Sequence, residues 1–422
     1  MGSSGEVMGD TRHIIIIGGG IVGLSCAFHA RRAGCRVTLV DPQIARDRAS
    51  YGNAGVLAVC DALPLATPGL LGRLPTMLCS PASPLRIRLR YLPALAPWLY
   101  RFVRASAPHR VRAAAQALHG LLDAANAAHD EIMQAAGAGD LVVPTGWLKA
   151  YESEQAYRRV ERERDTLRDL GVPMQELGRA DLDALAPGAR GLFRHGTLYT
   201  SCRQIRDPGE YVDRLQNACR NLGVAFVAGR ATGFALREGS PAGVVLQDRS
   251  IAGDGFVVAA GAWSRPLAAR LGCDVPLDTE RGYHVMVSHD GEPLLHAPTL
   301  WAEQSIVMSQ LGSGVRITSS VEFAGLRAPP RYDAIERILG RVRLAMPGLA
   351  GPVQGRWLGF RPSMPDSLPV IGRTPRHRNC WLAFGHGHLG LTLGPITGKL
   401  LARQLAGLPP AADLEPFTPG RF

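Results

Sequence analysis

Apolar and polar positions along the 422-residue chain first fall into order at His13-Ile14-Ile15-Ile16-Ile17. A continuous β-branched run of this length is the pattern of a strand buried on both faces, as in a parallel sheet. Glycines follow at once, and Leu24 to Arg32 then reads as a helix capped by Gly34. Cys35 to Val40 forms a second apolar run with Asp41 at its end. Much later, Phe256-Val257-Val258-Ala259-Ala260-Gly261 reads as a buried strand running into small residues, and Cys380 to Gly385 as another. Pro395 is expected to open a final helix through Leu405, with Ile396, Leu400, Leu401 and Leu405 on its apolar stripe. Between these parts, Arg281 to Val287 and Val315 to Val321 read as strands, and Arg112 to Ala136 and Glu152 to Leu170 as amphipathic surface helices.

The first strand, glycine turn, helix, second strand and terminal acid have the spacing of a dinucleotide fingerprint, G-x-G-x-x-G over Gly18-Gly19-Gly20-Ile21-Val22-Gly23. Gly18 permits the tight turn, Gly20 lets a pyrophosphate approach the backbone, and Gly23 allows close helix–strand packing. Asp41 is expected to accept hydrogen bonds from a ribose. The competing reading is a βαβ unit with an ordinary tight turn, and this end of the chain leaves FAD and NAD open. The far end favours FAD. A helix starting just after Gly385-His386-Gly387-His388-Leu389-Gly390-Leu391-Thr392 presents free N–H groups and a positive dipole end to the N1–C2 edge of a reduced flavin. Against this stands a merely flexible loop over Gly385, Gly387, Gly390 and Gly394.

Composition excludes other classes. Hydrophobic residues make up 46% and charged residues 20%, ordinary globular usage, and the length predicts two or three domains. None of the eight cysteines forms a C-x-x-C pair, so a reduced, cytosolic compartment is expected, either free or on the inner face of a membrane. No apolar run approaches the roughly 18 residues of a spanning helix. The net charge of +11 is concentrated. Asp61 to Arg112 carries eight arginines and one acid, interleaved with leucines, Tyr91, Trp98, Tyr100 and Phe102. With no RNA-recognition or zinc-finger pattern present, a nucleic-acid partner is not expected. The stretch reads instead as a peripheral contact with an anionic membrane surface, broken into short segments by prolines 75, 81, 84, 93 and 97. A loop-rich flap over the substrate pocket is the alternative.

Three motifs together resemble the FAD-dependent D-amino acid oxidoreductase superfamily, which includes glycine oxidase, sarcosine oxidase and D-amino acid dehydrogenase. They are the fingerprint ending in Val40-Asp41, the segment Ser50-Tyr51-Gly52-Asn53-Ala54-Gly55 with Ala66-Thr67-Pro68-Gly69, and Gly359 to Gly372 with the Gly385 to Gly390 loop. The resemblance spans about 13–407 and is nearest the bacterial dehydrogenase branch. It implies an α/β fold, a Rossmann-like FAD-binding domain with an α+β substrate domain. The expected division is 11–60, 195–275 and 346–422 for FAD, and 61–194 and 276–345 for substrate, with 61–112 as the membrane-contact flap. It further implies FAD contacts from Gly18, Gly20, Ile21, Val22, Gly23, Asp41, Ser50, Asn53, Ala54, Gly55, Ala231, Ala260, Gly261, His386, Gly387, Gly390, Leu391 and Thr392.

By the same resemblance Arg361 anchors the substrate carboxylate, for which a guanidinium fork is suited, against the bland reading of a structural ion pair. Tyr283, in Arg281-Gly282-Tyr283-His284, is expected to add a second hydrogen bond to that carboxylate, or simply to pack. His386 and His388 would tune flavin or substrate amine, or only bond backbone carbonyls. His388 stands where the general D-amino acid dehydrogenase carries threonine, which points to a polar pocket and a preference for D-proline or hydroxylated D-proline. No cysteine lies between Gln354 and Asn379, so FAD is expected to be non-covalent. The only lysines, Lys149 and Lys399, fall off the strand where oxidases place theirs, so electrons are expected to pass to a quinone or carrier. A glycine or sarcosine oxidase-like enzyme using oxygen, and a non-catalytic FAD-containing subunit of a dehydrogenase complex, are the alternatives.

Overall fold

The structure, a computed structural model, describes residues 12–42, 48–68, 85–312, 314–409 and 411–422. A six-stranded sheet runs in the order Ala225–Ala228, Arg36–Asp41, His13–Ile17, Gly255–Val258, Cys380–Phe384, Val370–Arg373. The first five strands are parallel and the last is antiparallel. Ile14, Ile15 and Ile16 are fully buried, as an apolar strand covered on both faces requires. The first helix begins at Ile21, three residues earlier than its apolar run suggested, because the turn at Gly18 is tight enough to start it there.

The larger sheet has nine strands. At its core Asp278–Ser288 lies between Val353–Ser363 and Gly314–Phe323, antiparallel to both. The strands 195–199 and 353–363 hydrogen-bond into this sheet, although the sequence division placed 195–275 and 346–422 with the nucleotide-binding part. Local patterning gives a strand's existence and not its partner sheet. The expected helix over 112–136 is two, Pro108–Asp123 and Ala125–Ala136, and their Leu118, Leu122 and Ile132 join the core that contains Ile14 and Leu24. Similarly, 152–170 divides into Glu154–Arg159 and Glu161–Asp169.

The last helix spans Gly390–Leu405, so Pro395 lies inside it and does not open it. A proline there leaves the carbonyl of Leu391 without its intrahelical donor. His129 supplies the replacement: its Nε2 lies 3.1 Å from the carbonyls of both Leu391 and Thr392, and its Nδ1 is 2.9 Å from the Tyr211 hydroxyl. Burial lowers the His129 pKa to about 4. The neutral ring therefore donates from Nε2 and accepts the tyrosine hydroxyl at Nδ1. Gly390, Gly394 and Gly398 form a stripe at every fourth residue. A Cβ on Gly394 would meet Ile21 Cγ1 at 3.0 Å, and one on Gly398 would meet the Ser25 carbonyl carbon at 2.4 Å. The stripe lets the first and last helices touch through their backbones.

Residues 69–84, including Leu70, Leu71 and Leu74, lie outside the described residues. Beyond them, Leu92–Ala105 is one helix that holds both Pro93 and Pro97, not the interrupted segments expected. Pro93 sits in the first turn, where a missing N–H costs nothing. The aromatic residues also divide. Trp98 and Phe102 stack at 5.1 Å and turn inward onto Phe323, while Tyr91 bonds Asp278 at 2.9 Å. Only Leu89, Leu92, Tyr100 and Val103 remain as large exposed apolar groups between 85 and 112.

Candidate functional site

The glycine turn is built around steric necessity. A Cβ on Gly18, whose φ is +113°, would fall 2.3 Å from the Ala259 carbonyl oxygen, and one on Gly23 would fall 1.9 Å from that of Gly18. Above Gly20 the nearest atom to such a Cβ is Ser50 Oγ at 3.6 Å, so this is the open position. The first helix has no acid in its first turn and no side-chain cap on Gly20, and the Ile21 N–H donates to Ser50 Oγ at 3.1 Å. Val22 is partly buried beside them. A helix N-terminus without an acid, whose Ile21 N–H alone is taken by Ser50, and which is approached over Gly20, is suited to a pyrophosphate. Asp41 is engaged by the chain itself: it accepts the Gly19 N–H at 2.6 Å and faces Arg48 Nη2 at 3.3 Å. Arg48, which carries no motif and was missed by sequence reasoning, is buried there.

The other nucleotide candidates are placed around this turn and the last helix. Ala260 and Gly261 follow the 255–258 strand beside Gly18, and Ala231 packs at the sheet's edge. Asn53 folds back to accept the Gly55 N–H at 2.9 Å, Ala54 packs against the core, and Gly55 at φ +77° leaves room for the Ile205 carbonyl. The last helix presents the N–H groups of its first turn, from Gly390, with no acid there, while Leu391 and Thr392 are held from behind by His129. Thr392 Oγ1 also accepts the Ala58 N–H at 3.1 Å.

The 278–288 strand shows which of the predicted substrate residues meet. Its even positions share a face with Trp357, Gly359 and Arg361, because Glu280 pairs with Arg361 and His284 with Trp357. This face carries the loops: His284 Nδ1 bonds the Gly52 carbonyl at 3.1 Å, and Trp357 stacks on His284 at 5.0 Å. Ser363, at the end of the 353–363 strand, pairs with His386 in an isolated backbone bridge. Tyr283, one residue away, is on the opposite face. It packs in a core with Ile335, Leu339 and Val342, and its hydroxyl donates to Glu322 Oε2 at 2.6 Å. Burial and Glu322 push its pKa up to about 12. Tyr283 and Arg361 are therefore not brought together, and the expected second hydrogen bond to a carboxylate is corrected by strand parity.

Gly282 is the residue of that motif whose contact with Arg361 sequence reasoning passed over. A Cβ on it would fall 2.3 Å from Arg361 Nη2, so the guanidinium lies flat across this position. Arg361 Nη1 reaches the carbonyl of Ser320 at 3.4 Å. Ser320 has φ +72° at a register shift in the 314–323 strand, where the bulge turns its carbonyl out of the ladder. Burial lowers the Arg361 pKa and Glu280 opposes that shift.

The two histidines of the loop separate. His386 is buried, its Nε2 lies 2.9 Å from Thr397 Oγ1 and its pKa is lowered to about 3 by burial. Its ring points into the last helix, so tuning of a ligand by this imidazole is not what the geometry offers. His388 is exposed, with Nε2 3.7 Å from Asp61 Oδ2. Asp61 also binds Lys149 Nζ at 2.8 Å. Burial alone would raise the Asp61 pKa, but Lys149 and His388 outweigh it and hold the carboxyl down to about 2. Lys149 and Asp61, 88 positions apart, had no sequence signal linking them to the loop.

A family model described as DAO, FAD dependent oxidoreductase, matches residues 13–404. The chain is 36% identical over 422 residues to a D-amino-acid oxidase of Bradyrhizobium diazoefficiens, covering 98% of this chain and all of the relative. It is 29% identical to D-amino acid dehydrogenase 2 of Mesorhizobium japonicum, covering 95% of this chain and 98% of that one. Its fold is similar to the crystal structure of glycine oxidase from Geobacillus kaustophilus, with a TM-score of 0.76 at 21% identity over 98% of this chain and all of the other.

Proposed function

Since the chain belongs to the DAO family of FAD-dependent oxidoreductases, we propose that it oxidises a D-amino or cyclic D-imino acid at the α-carbon, with D-proline or a hydroxylated D-proline favoured. The observation that carries this reading is the Arg361 guanidinium lying across Gly282, on the sheet face that meets the 50–55 and 385–390 loops. Bound FAD supplies the acceptor for a hydride from the substrate. The open backbone at Gly20 and the first-turn N–H groups of the first helix would hold its pyrophosphate, and those of the last helix its pyrimidine edge. No cysteine lies between 354 and 379, which supports non-covalent binding. Arg361 then fixes the carboxylate, so the α-carbon has one orientation.

The proline preference rests on the polar group of His388 and Asp61, Tyr283 and His386 having turned elsewhere. A dye-coupled screen of D- and L-amino acids, both proline isomers and hydroxyprolines tests it. The expected order places D-proline or hydroxy-D-proline above acyclic D-amino acids in kcat/KM, and D-alanine as best substrate would overturn it. For the acceptor, the reading is a quinone or carrier. Lys149, a half-buried cation joined through Asp61 to the His388 loop, favours oxygen as the second reading.

We also propose a peripheral contact with an anionic membrane around the 92–105 helix. No helix of the described residues is long and apolar enough to cross a membrane. Leu89, Leu92, Tyr100 and Val103 are exposed among Arg90, Arg101 and Arg104. Arg88 is excluded from that set, because it binds Glu322 at 2.7 Å. Co-sedimentation with anionic vesicles is expected at low salt, reduced by high salt and by changing Arg90, Arg101 and Arg104 together to Gln. Absence of binding at low salt, or indifference to the triple substitution, leaves the helix as a soluble flap, tied to the site by the Trp98 indole on the Ser363 carbonyl at 3.3 Å.

A further inference from the structure

Arg361 and Glu280 stand directly opposite each other in the antiparallel ladder, on the face that meets the loops. Side chains so placed have their Cβ atoms about 5 Å apart, and an arginine and a glutamate there ordinarily close into an ion pair. Here the two heads diverge. Arg361 leans over Gly282 toward Ser320, while Glu280 turns the other way to accept the Ser363 hydroxyl at 2.5 Å. Glu280 is only 6% exposed. Among the described residues this buried carboxylate accepts one hydroxyl and has no cation in contact, which leaves acceptor sites unused. Ser363 in turn is bridged to His386, so this carboxylate is anchored at the loop end of the strand.

An amino acid carries its anionic and cationic groups on adjacent positions of one carbon. Two opposite charges splayed apart on one sheet face match that arrangement. Accordingly, and resting on the reading of Arg361 as the carboxylate anchor, we propose that Glu280 binds the cationic amine of the substrate. Together the two residues recognise a zwitterion, Glu280 adding affinity that a carboxylic acid without the amine does not gain.

The experiment compares FAD-loaded wild type with Glu280→Gln, Glu280→Asp and Arg361→Met, each checked for flavin content and circular dichroism. The amine-bearing probe is D-proline, or whichever substrate leads the dye screen, read as kcat/KM. The amine-free probe is tetrahydrofuran-2-carboxylate, read as Kd from the shift of the flavin spectrum. Glu280→Gln is expected to lower kcat/KM about 10- to 100-fold and to leave the Kd of the amine-free acid within about threefold, a change of under 1 kcal/mol. Glu280→Asp, which keeps the charge, is expected to recover part of the loss. Equal losses on both probes would overturn the inference, since Glu280 would then only position Arg361; so would no loss on either. Arg361→Met tests the parent reading separately: retention of the amine-free acid by that variant would remove the carboxylate anchor whatever Glu280 does.

Discussion

Arg361→Met is expected to retain FAD while kcat/KM for the amino acid falls by two to four decades. The Arg361 guanidinium lies over Gly282 on this face, whereas the second guanidinium there, Arg316, is taken up by the Tyr51 and Asn53 carbonyls, and methionine at 361 removes the charge. Leaving a buried carboxylate without its charged partner costs about 3–5 kcal/mol, and each 1.36 kcal/mol is tenfold in rate. Flavin absorbance should match wild type, because the first- and last-helix N-termini that would hold the nucleotide lie on other elements. Steady-state kinetics with the preferred substrate checks this. A loss below tenfold would mean that another group anchors the carboxylate.

Gly282→Ala is expected to produce a comparable defect through a single methyl group. The added Cβ would lie 2.3 Å from Nη2, 2.4 Å from Cζ and 2.7 Å from Nη1 of Arg361, contacts that no real side chain maintains. The obstacle is the end of a flexible side chain, so the guanidinium swings away and the sheet stays intact. Stability should therefore change little. A displacement of about 1 Å of a positioning group costs about a hundredfold in rate, and the loss should appear chiefly in KM. Thermal unfolding together with kcat and KM separates the two effects. Activity within threefold of wild type would show that the guanidinium works equally well off this position.

Much of the site was legible because its chemistry is local in sequence. The requirement for glycine at 23 is set by the Gly18 carbonyl five residues away, whereas that at 18 comes from Ala259 at the end of the neighbouring strand and was legible only through the fingerprint spacing. Arg361 was legible through the motif around it. The errors concern partners set by distant segments. His129 carries no motif, yet its bonds to the Leu391 and Thr392 carbonyls are what allow Pro395 inside the last helix. The exposed, aromatic look of the 92–105 stretch dissolved once Trp98 and Phe102 found Phe323, more than 200 positions later.

By itself the sequence determined the strand–turn–helix that receives a dinucleotide, the buried parallel strands, the amphipathic or apolar character of each segment and the presence of an arginine suited to a carboxylate. These follow from backbone sterics and from periodicities of 2.0 and 3.6 that act within a few residues. Only the tertiary structure decided which face of the 278–288 strand meets the 50–55 loop, and so that Gly282 and Glu280, not Tyr283, stand with Arg361. The alternation of side chains along a strand is written in the chain. Which side meets the loops and which meets a helix is fixed by the register with a strand some 80 residues away, and a one-residue difference in that register exchanges the two faces.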